Sequence, residues 1–181
     1  MTRDEPREEE VKASAPRPDL STESGQLAFI QVLNDRLPTK RLIAQGLLRN
    51  ERGEVLLCEL VYKSAWDLPG GVVDPGESPA TCVHREVTEE LGLDLPVGSL
   101  AAVNWLPPYR GWDDALLLLF DLGTVDSALM ERAVLQPREI RAVHWVAPDD
   151  LADHVAPYTV EMIRQVATPG STRYLENSQD R

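Results

Sequence analysis

The apolar positions of the chain change their spacing several times, and each change marks an element. Leu27, Ile30, Leu33 and Leu37 recur at three- and four-residue intervals, predicting a short amphipathic helix that ends before Pro38. From Arg41 the pattern turns strand-like. Residues 41–49 and 54–61 are apolar-rich and flank Asn50-Glu51-Arg52-Gly53, which reads as a β-hairpin. A glycine corner follows at Pro69-Gly70-Gly71, then a turn at Asp74-Pro75-Gly76. A helix is expected over 78–91, with Ser78 as N-cap, Pro79 in the first turn and Gly92 as the stop. Strands are expected over 97–105, 114–122 and 140–147, and helices near 148–153 and 157–167. Strands with helices between and after them predict an α/β or α+β sandwich.

The ends differ from this middle. Residues 1–22 are charged and proline-dotted, predicting a disordered tail, and the segment from Pro169 is expected to be loose. The expected organisation is therefore a tail (1–22), a helix or linker (23–38), a globular domain (39–168) and a C-terminal tail (169–181). The 23–38 helix is expected to pack on the domain or on a second copy of the chain, as in a homodimer.

Charge narrows the function. With 18 Lys+Arg against 30 Asp+Glu, the 181 residues carry −12, which disfavours nucleic-acid polymers and anionic membranes as partners. A small phosphorylated substrate stays compatible if a cation lies between it and the carboxylates. The first ten residues hold five acids and two arginines where a leader would need an apolar stretch. The longest apolar run, Ala115 to Phe120, is too short for a membrane span. Cys58 and Cys82 lack disulfide-framework or metal-ligand spacing and are expected to be free. A cytoplasmic setting is the expectation.

The candidate chemistry lies on the 78–91 helix. Ala80, Val83, Val87 and Leu91 form one stripe, and Glu86, Glu89 and Glu90 fall together beside it. Carboxylates at i, i+3 and i+4 repel one another and sit at the end of the helix that disfavours negative charge. Most acidic helix faces are simply solvated. Here the face follows a Gly-Gly corner that lets a ligand approach backbone, and a hard cation with oxygen ligands would turn the repulsion to use. Arg85 lies one turn before Glu89 and can steady it.

Gly71, Glu77 and the run Arg85-Glu86-Val87-Thr88-Glu89-Glu90-Leu91-Gly92-Leu93 together resemble the complete signature box of the Nudix hydrolases. Trp66-Asp67-Leu68-Pro69-Gly70-Gly71 resembles the family's approach to the box, and His144-Trp145-Val146 its late strand. The resemblance implies an α/β/α sandwich with a mixed sheet, the box forming loop–helix–loop. It implies hydrolysis of the diphosphate linkage of a nucleoside diphosphate joined to another group (ADP-ribose-like, dinucleotide or nucleoside triphosphate), with Mg²⁺ or Mn²⁺. Glu86, Glu89, Glu90 and the Gly70 carbonyl would ligate metal, Glu77 would support the loop–helix junction, and Arg85 would hold a box glutamate.

The general base is expected at Glu90 itself or outside the box, with Glu139 first and Asp113 and Asp114 after it. Trp105, Tyr109, Arg110 and Trp112, in one segment beyond the box, are the candidate substrate-binding residues. Pro108 resembles the family's ADP-ribose hydrolases and Tyr109 its diadenosine-polyphosphate hydrolases, so the pair leaves the substrate open. His84, His144 and His154 are expected to be structural. Two other readings stand beside the hydrolase: a non-catalytic nucleotide-sensing Nudix-fold module, and an enzyme like isopentenyl-diphosphate isomerase.

Overall fold

Asn50 shows how local chemistry starts the fold. Its side-chain carbonyl accepts from the Arg52 and Glu54 N–H groups, both at 3.0 Å, and Gly53 takes the positive φ of 77° that closes the turn. A computed structural model of the chain describes residues 18–166 and 171–180, in two units divided at Thr39 and Lys40.

The first unit contains α1 (Glu23–Arg36), capped by the Thr22 hydroxyl, which accepts from the Gly25 N–H at 3.1 Å. Thr22 is set in place by Asp19, whose carbonyl accepts from the Thr22 N–H. Residues 19–22 therefore form a capping turn, and the tail expectation for residues 1–17 lies outside the described residues. The helix ends at Leu37, before Pro38. Leu27, Ile30, Leu33 and Leu37 are exposed, as are Phe29 and Val32, which widen the expected stripe.

In the second unit β1 (Arg41–Asn50) and β2 (Val55–Leu60) are followed by β3 (Gly70–Val72), α2 (Pro79–Leu91), β4 (Leu100–Leu106) and β5 (Ala115–Val125). Then come β6 (Ile140–Val146), α3 (Pro157–Gln165), β7 (Arg173–Glu176) and β8 (Gln179–Asp180), with short 3-10 helices at Ser127–Arg132 and Leu151–Asp153. The strands form one mixed sheet in the order β6-β2-β1-β5-β4-β7-β8, with β3 beside β1. β1 runs parallel to β5, β4 parallel to β7, and the remaining pairs are antiparallel.

Two expectations need correction. The turn at 50–53 is present, but β1 and β2 share only the Arg49–Val55 pair. The first half of β1 pairs with β3 instead, and β2 pairs along its length with β6. A turn fixes where a chain reverses; the neighbours available across the sheet decide how far the reversal stays paired. The tail expected over 169–181 is also wrong in part. Leu175 is fully buried, and Asn177 and Ser178, at φ of 49° and 64°, turn β7 into β8. Ser178 exchanges hydrogen bonds with the Asn104 side chain, both at 2.9 Å, and donates to the Tyr158 carbonyl at 2.6 Å. One buried leucine in four residues leaves no readable period; the open edge of β4 supplies the partner.

The two faces of the sheet carry separate apolar clusters. One joins α2 (Cys82, Val83, Val87, Leu91) to Ala44, Leu48, Leu56, Cys58 and Phe120. The other joins α3 (Val160, Met162, Ile163) to Leu47, Leu57, Leu117, Leu119 and Leu175. The result is the α/β/α arrangement that the sequence predicts. Among the described residues no helix is long and apolar enough to cross a membrane.

Candidate active site

The site grows from α2 and the corner before it. Ser78 caps the helix by accepting from the Thr81 N–H at 3.2 Å, and Gly92 ends it in a left-handed conformation. The last turn of α2 has carbonyls without intrahelical partners, and the following chain satisfies two of them. Val134 N–H donates to the Leu91 carbonyl at 2.8 Å and Gln136 N–H to the Glu90 carbonyl at 3.0 Å. That docking brings Glu139 to the carboxylate end of α2, where its backbone carbonyl accepts from the Val61 N–H at 2.9 Å.

The glycine corner is shaped for the glutamates. Gly70 has φ of 138°, and its N–H donates to Glu90 Oε2 at 3.0 Å. A Cβ on Gly71 would lie 2.3 Å from Glu86 Oε1, so only glycine lets that carboxylate rest on the backbone. Arg85 gathers the rest. Its Nε and Nη2 donate to the two oxygens of Glu77 at 2.9 and 3.1 Å, and Nη1 to Glu86 at 2.9 Å and Glu89 at 3.1 Å. Glu77 also accepts from the Asp74 N–H at 3.2 Å, tying the loop to the helix.

Electrostatics separates these carboxyls. The Arg85 hydrogen bonds hold Glu77 below the usual carboxylate range. Burial pushes Glu86 up, with Arg85 opposing and the charges of Glu89 and Glu139 adding. Glu90, only 5 % exposed, is pushed up to about 8, first by burial and then by Glu86, Glu139 and Asp67, against the Gly70 N–H. Cys82, beside Arg85, is buried and pushed up to about 11 by desolvation, so it is an inert thiol.

Among the described residues, no three His, Cys, Asp or Glu side chains converge into a ready chelate. Arg85 holds Glu86 and Glu89 as ion pairs. The donors nonetheless suit a hard cation. Glu86, Glu89, Glu90 and the Gly70 carbonyl all offer oxygen donors, and Glu90 is a buried carboxyl facing the charges of Glu86, Glu139 and Asp67 with the Gly70 N–H against them.

The other candidates fall in different places. Glu139 lies near enough for its charge to raise Glu86, Glu90 and Tyr62. Asp114 instead pairs with Lys40 and accepts from the Trp105 indole N–H at 3.0 Å. The Asp113 carbonyl accepts from Arg41 Nη2 at 3.4 Å. Trp105 is a strand residue of β4, pointing to the face opposite Asn104. Tyr109, Arg110 and Trp112 stand together in a tight turn, with Tyr109 and Trp112 bridged at 2.9 and 3.0 Å and both aromatics exposed. Arg110 lies over the Tyr109 ring at 5.2 Å, and Arg41 over the Trp112 ring at 4.6 Å. That turn is anchored at the start of β1, and Gly70 pairs with Gln45 four residues further on, about 13 Å along a strand.

His84 pairs with Asp94 at 2.9 Å. His144 and His154 stack on the two faces of Trp66, at centroid distances of 4.0 and 4.1 Å. This clamp fixes the chain just before the Asp67-Leu68-Pro69-Gly70 approach. Asp67 was outside the sequence reading of the site, yet it accepts from Gln45 Nε2 at 2.9 Å and from Lys63 at 2.6 Å. A polar residue at position 45, inside the otherwise apolar stretch 42–48 of β1, was the signal available for it.

Comparison with known proteins agrees with the geometry. The NUDIX domain model matches residues 39–166. A MutT-like protein of Streptomyces ambofaciens is 29 % identical over 127 residues, covering 70 % of this chain and 77 % of its own. An RNA pyrophosphohydrolase of Erythrobacter litoralis is 30 % identical over 146 residues, covering 70 % and 87 % respectively. The crystal structure of a MutT protein from Methanosarcina mazei superposes with a TM-score of 0.61 at 27 % identity, covering 72 % of this chain and 96 % of that one.

Proposed function

The chain belongs to the Nudix hydrolase family, and on that premise we propose that it is a divalent-cation-dependent pyrophosphohydrolase of nucleoside-diphosphate derivatives. The observation that carries this reading is the seating of Glu86 and Glu90 on the Gly71-Gly70 backbone, with Glu77, Glu86 and Glu89 gathered by Arg85. Glu86, Glu89, Glu90 and the Gly70 carbonyl would hold the cation, Mg²⁺ or Mn²⁺. When bound, it would neutralise diphosphate charge and acidify water.

The residues of the chain supply the rest. Arg85 keeps Glu86 and Glu89 in position and limits their mutual repulsion. Glu77 fixes the guanidinium of Arg85 and the loop before the helix. A carboxylate must take a proton from the attacking water, and Glu139 is our first choice. Glu90, buried and with its pKa near 8, holds its proton through neutrality unless a cation offsets it. The relative named as an RNA pyrophosphohydrolase supports a substrate carrying a nucleotide next to the scissile linkage.

Incubation with Mg²⁺ and, in turn, ADP-ribose, NADH, dinucleoside polyphosphates and nucleoside triphosphates tests the reading. Release of a phosphate-containing product from at least one of them is expected, with loss of that release in EDTA. Tight binding of one compound without turnover of any would assign the protein to nucleotide sensing instead.

A further inference from the structure

Two buried side-chain polar atoms among the described residues have no hydrogen-bond partner: Gln45 Oε1 and Arg41 Nε. Both belong to β1. Side chains two apart on a strand share a face, and Ile43 and Leu47 pack into the α3-side cluster. Arg41 and Gln45 therefore flank Ile43 on that same face.

The orientation of the Gln45 amide is fixed by charge. Its Nε2 donates to Asp67 Oδ1 at 2.9 Å, and Asp67 also accepts from Lys63 at 2.6 Å and from the Leu68 N–H at 3.0 Å. An ionised carboxylate only accepts, so the NH₂ end of the amide must face Asp67 and the oxygen must face away. Gln45 is 5 % exposed, and a buried acceptor held unpaired is unfavourable unless something donates to it. One of its two main-chain partners across the sheet is Gly70, beside the box glutamates. At the other end of the strip, Arg41 has its Nη2 on the Asp113 carbonyl and its guanidinium over the Trp112 ring, which leaves Nε as a donor. Tyr109 and Trp112 expose aromatic faces there.

We infer that the β1 face from Gln45 to Arg41 recognises the nucleoside half of the substrate. Gln45 Oε1 accepts from a donor on that nucleoside, a sugar hydroxyl or a base N–H. Arg41 Nε donates to an acceptor further along it, and the Trp112 turn offers a stacking surface. This inference rests on the hydrolase reading for the placement of the diphosphate at the box. What it adds is the requirement for a hydrogen-bond donor on the nucleoside and the residue that imposes it.

Calorimetric titration separates the possibilities without requiring turnover. The full chain and Gln45→Met, both with Mg²⁺, are titrated with adenosine, guanosine, cytidine and uridine 5′-monophosphates and with their 2′-deoxy and 3′-deoxy forms. At least one nucleotide should bind the wild type about tenfold more tightly than it binds the variant. If a sugar hydroxyl is the donor, its deoxy form should bind the wild type as weakly as it binds the variant. If a base N–H is the donor, deoxy forms should keep their affinity and discrimination among bases should vanish in the variant.

Equal binding of every nucleotide to both proteins, or no binding to the wild type, overturns the inference. Gln45→Met that unfolds earlier yet binds as before would likewise overturn it, assigning Gln45 to structure alone. Because the wild-type comparison of ribo and deoxy forms needs no substitution, a misfolded variant leaves the sugar arm decisive, and the wild-type base ranking against purine riboside monophosphate, which lacks the adenine amine, does the same for the adenine N–H. Nucleotide hydrolysis with Gln45-independent affinity would sink this inference and leave the hydrolase. Gln45-dependent binding without any turnover would do the reverse.

Discussion

The two faces of the sheet bury polar groups in opposite ways. On the α2 face, charge is kept at the rim: Arg85 holds Glu77, Glu86 and Glu89 in ion pairs, and Glu90 turns inward onto Gly70. On the α3 face the buried polar side chains Asn104, Ser178 and Gln45 are neutral. Asn104 and Ser178 satisfy each other, and the Gln45 amide leans on Asp67 at the edge. The physical difference is reach. Charges at a rim can be compensated by an ion from solvent, whereas Asn104 and Ser178 beneath α3 find their partners within the fold and Gln45 Oε1 is left with none there. One face therefore gathers acidity at its rim, and the other uses Asn104 and Ser178 to fix positions.

The strongest way to break this comparison is at the rim. Glu89→Gln, an exposed substitution, should leave folding intact while turnover of the substrate falls by about 10³-fold or more. Near-normal phosphate release would remove Glu89 from cation binding. The next effect concerns Glu90 in the cation-free protein. Its folded pKa of about 8 exceeds the ordinary 4.5, so the folded chain retains a proton that the unfolded chain releases. Stability from this group is full below about pH 4.5 and declines as pH rises toward 8. Glu90→Gln should flatten that decline and stabilise the EDTA-treated protein at pH 8 on the order of 4 kcal/mol. Denaturation curves of the two proteins that stay parallel from pH 5 to 9 would contradict it.

Glu139→Gln sharpens the rim further. A base acting on water should cost about 10²-fold in kcat with little change in KM, read from steady-state kinetics. A change confined to KM would make Glu139 a contact instead of a base. The smallest effect is expected on the opposite face. Asn104→Leu leaves the Ser178 N–H unpaired and should destabilise the protein by roughly 2 kcal/mol. Rim chemistry should be untouched per folded molecule, which urea denaturation and active-site titration together would check.

The fold was legible where its causes are local. Ser78, Pro79 and Gly92 delimit α2 by their own backbone and side-chain preferences, and Val83, Val87 and Leu91 declare its buried stripe within thirteen residues. The candidate carboxylates Glu86, Glu89 and Glu90 could be singled out for the same reason, since they share that helix with Arg85, whereas Gly70 came in only through the family resemblance. Glu139 was only one of several candidate bases because nothing near it in sequence ties it to α2. The tie is made by Val134 and Gln136, whose N–H groups satisfy the helix carbonyls of Leu91 and Glu90. Trp105 and Trp112 look equivalent in sequence, but strand alternation places one in β4 and the turn at Arg110-Gly111 exposes the other.

The sequence by itself determined the family, the helix that carries the carboxylates and the clustering of acidic groups on it. These follow from interactions spanning a few residues, where spacing and propensity suffice. The tertiary structure decided that β1 leaves β2 for β3 and β5, that β7 and β8 close onto β4, and that Gln45 holds an acceptor without a partner beside Gly70. Those outcomes depend on which distant groups compete for the same hydrogen-bonding edge or the same buried volume, and no local pattern records that competition.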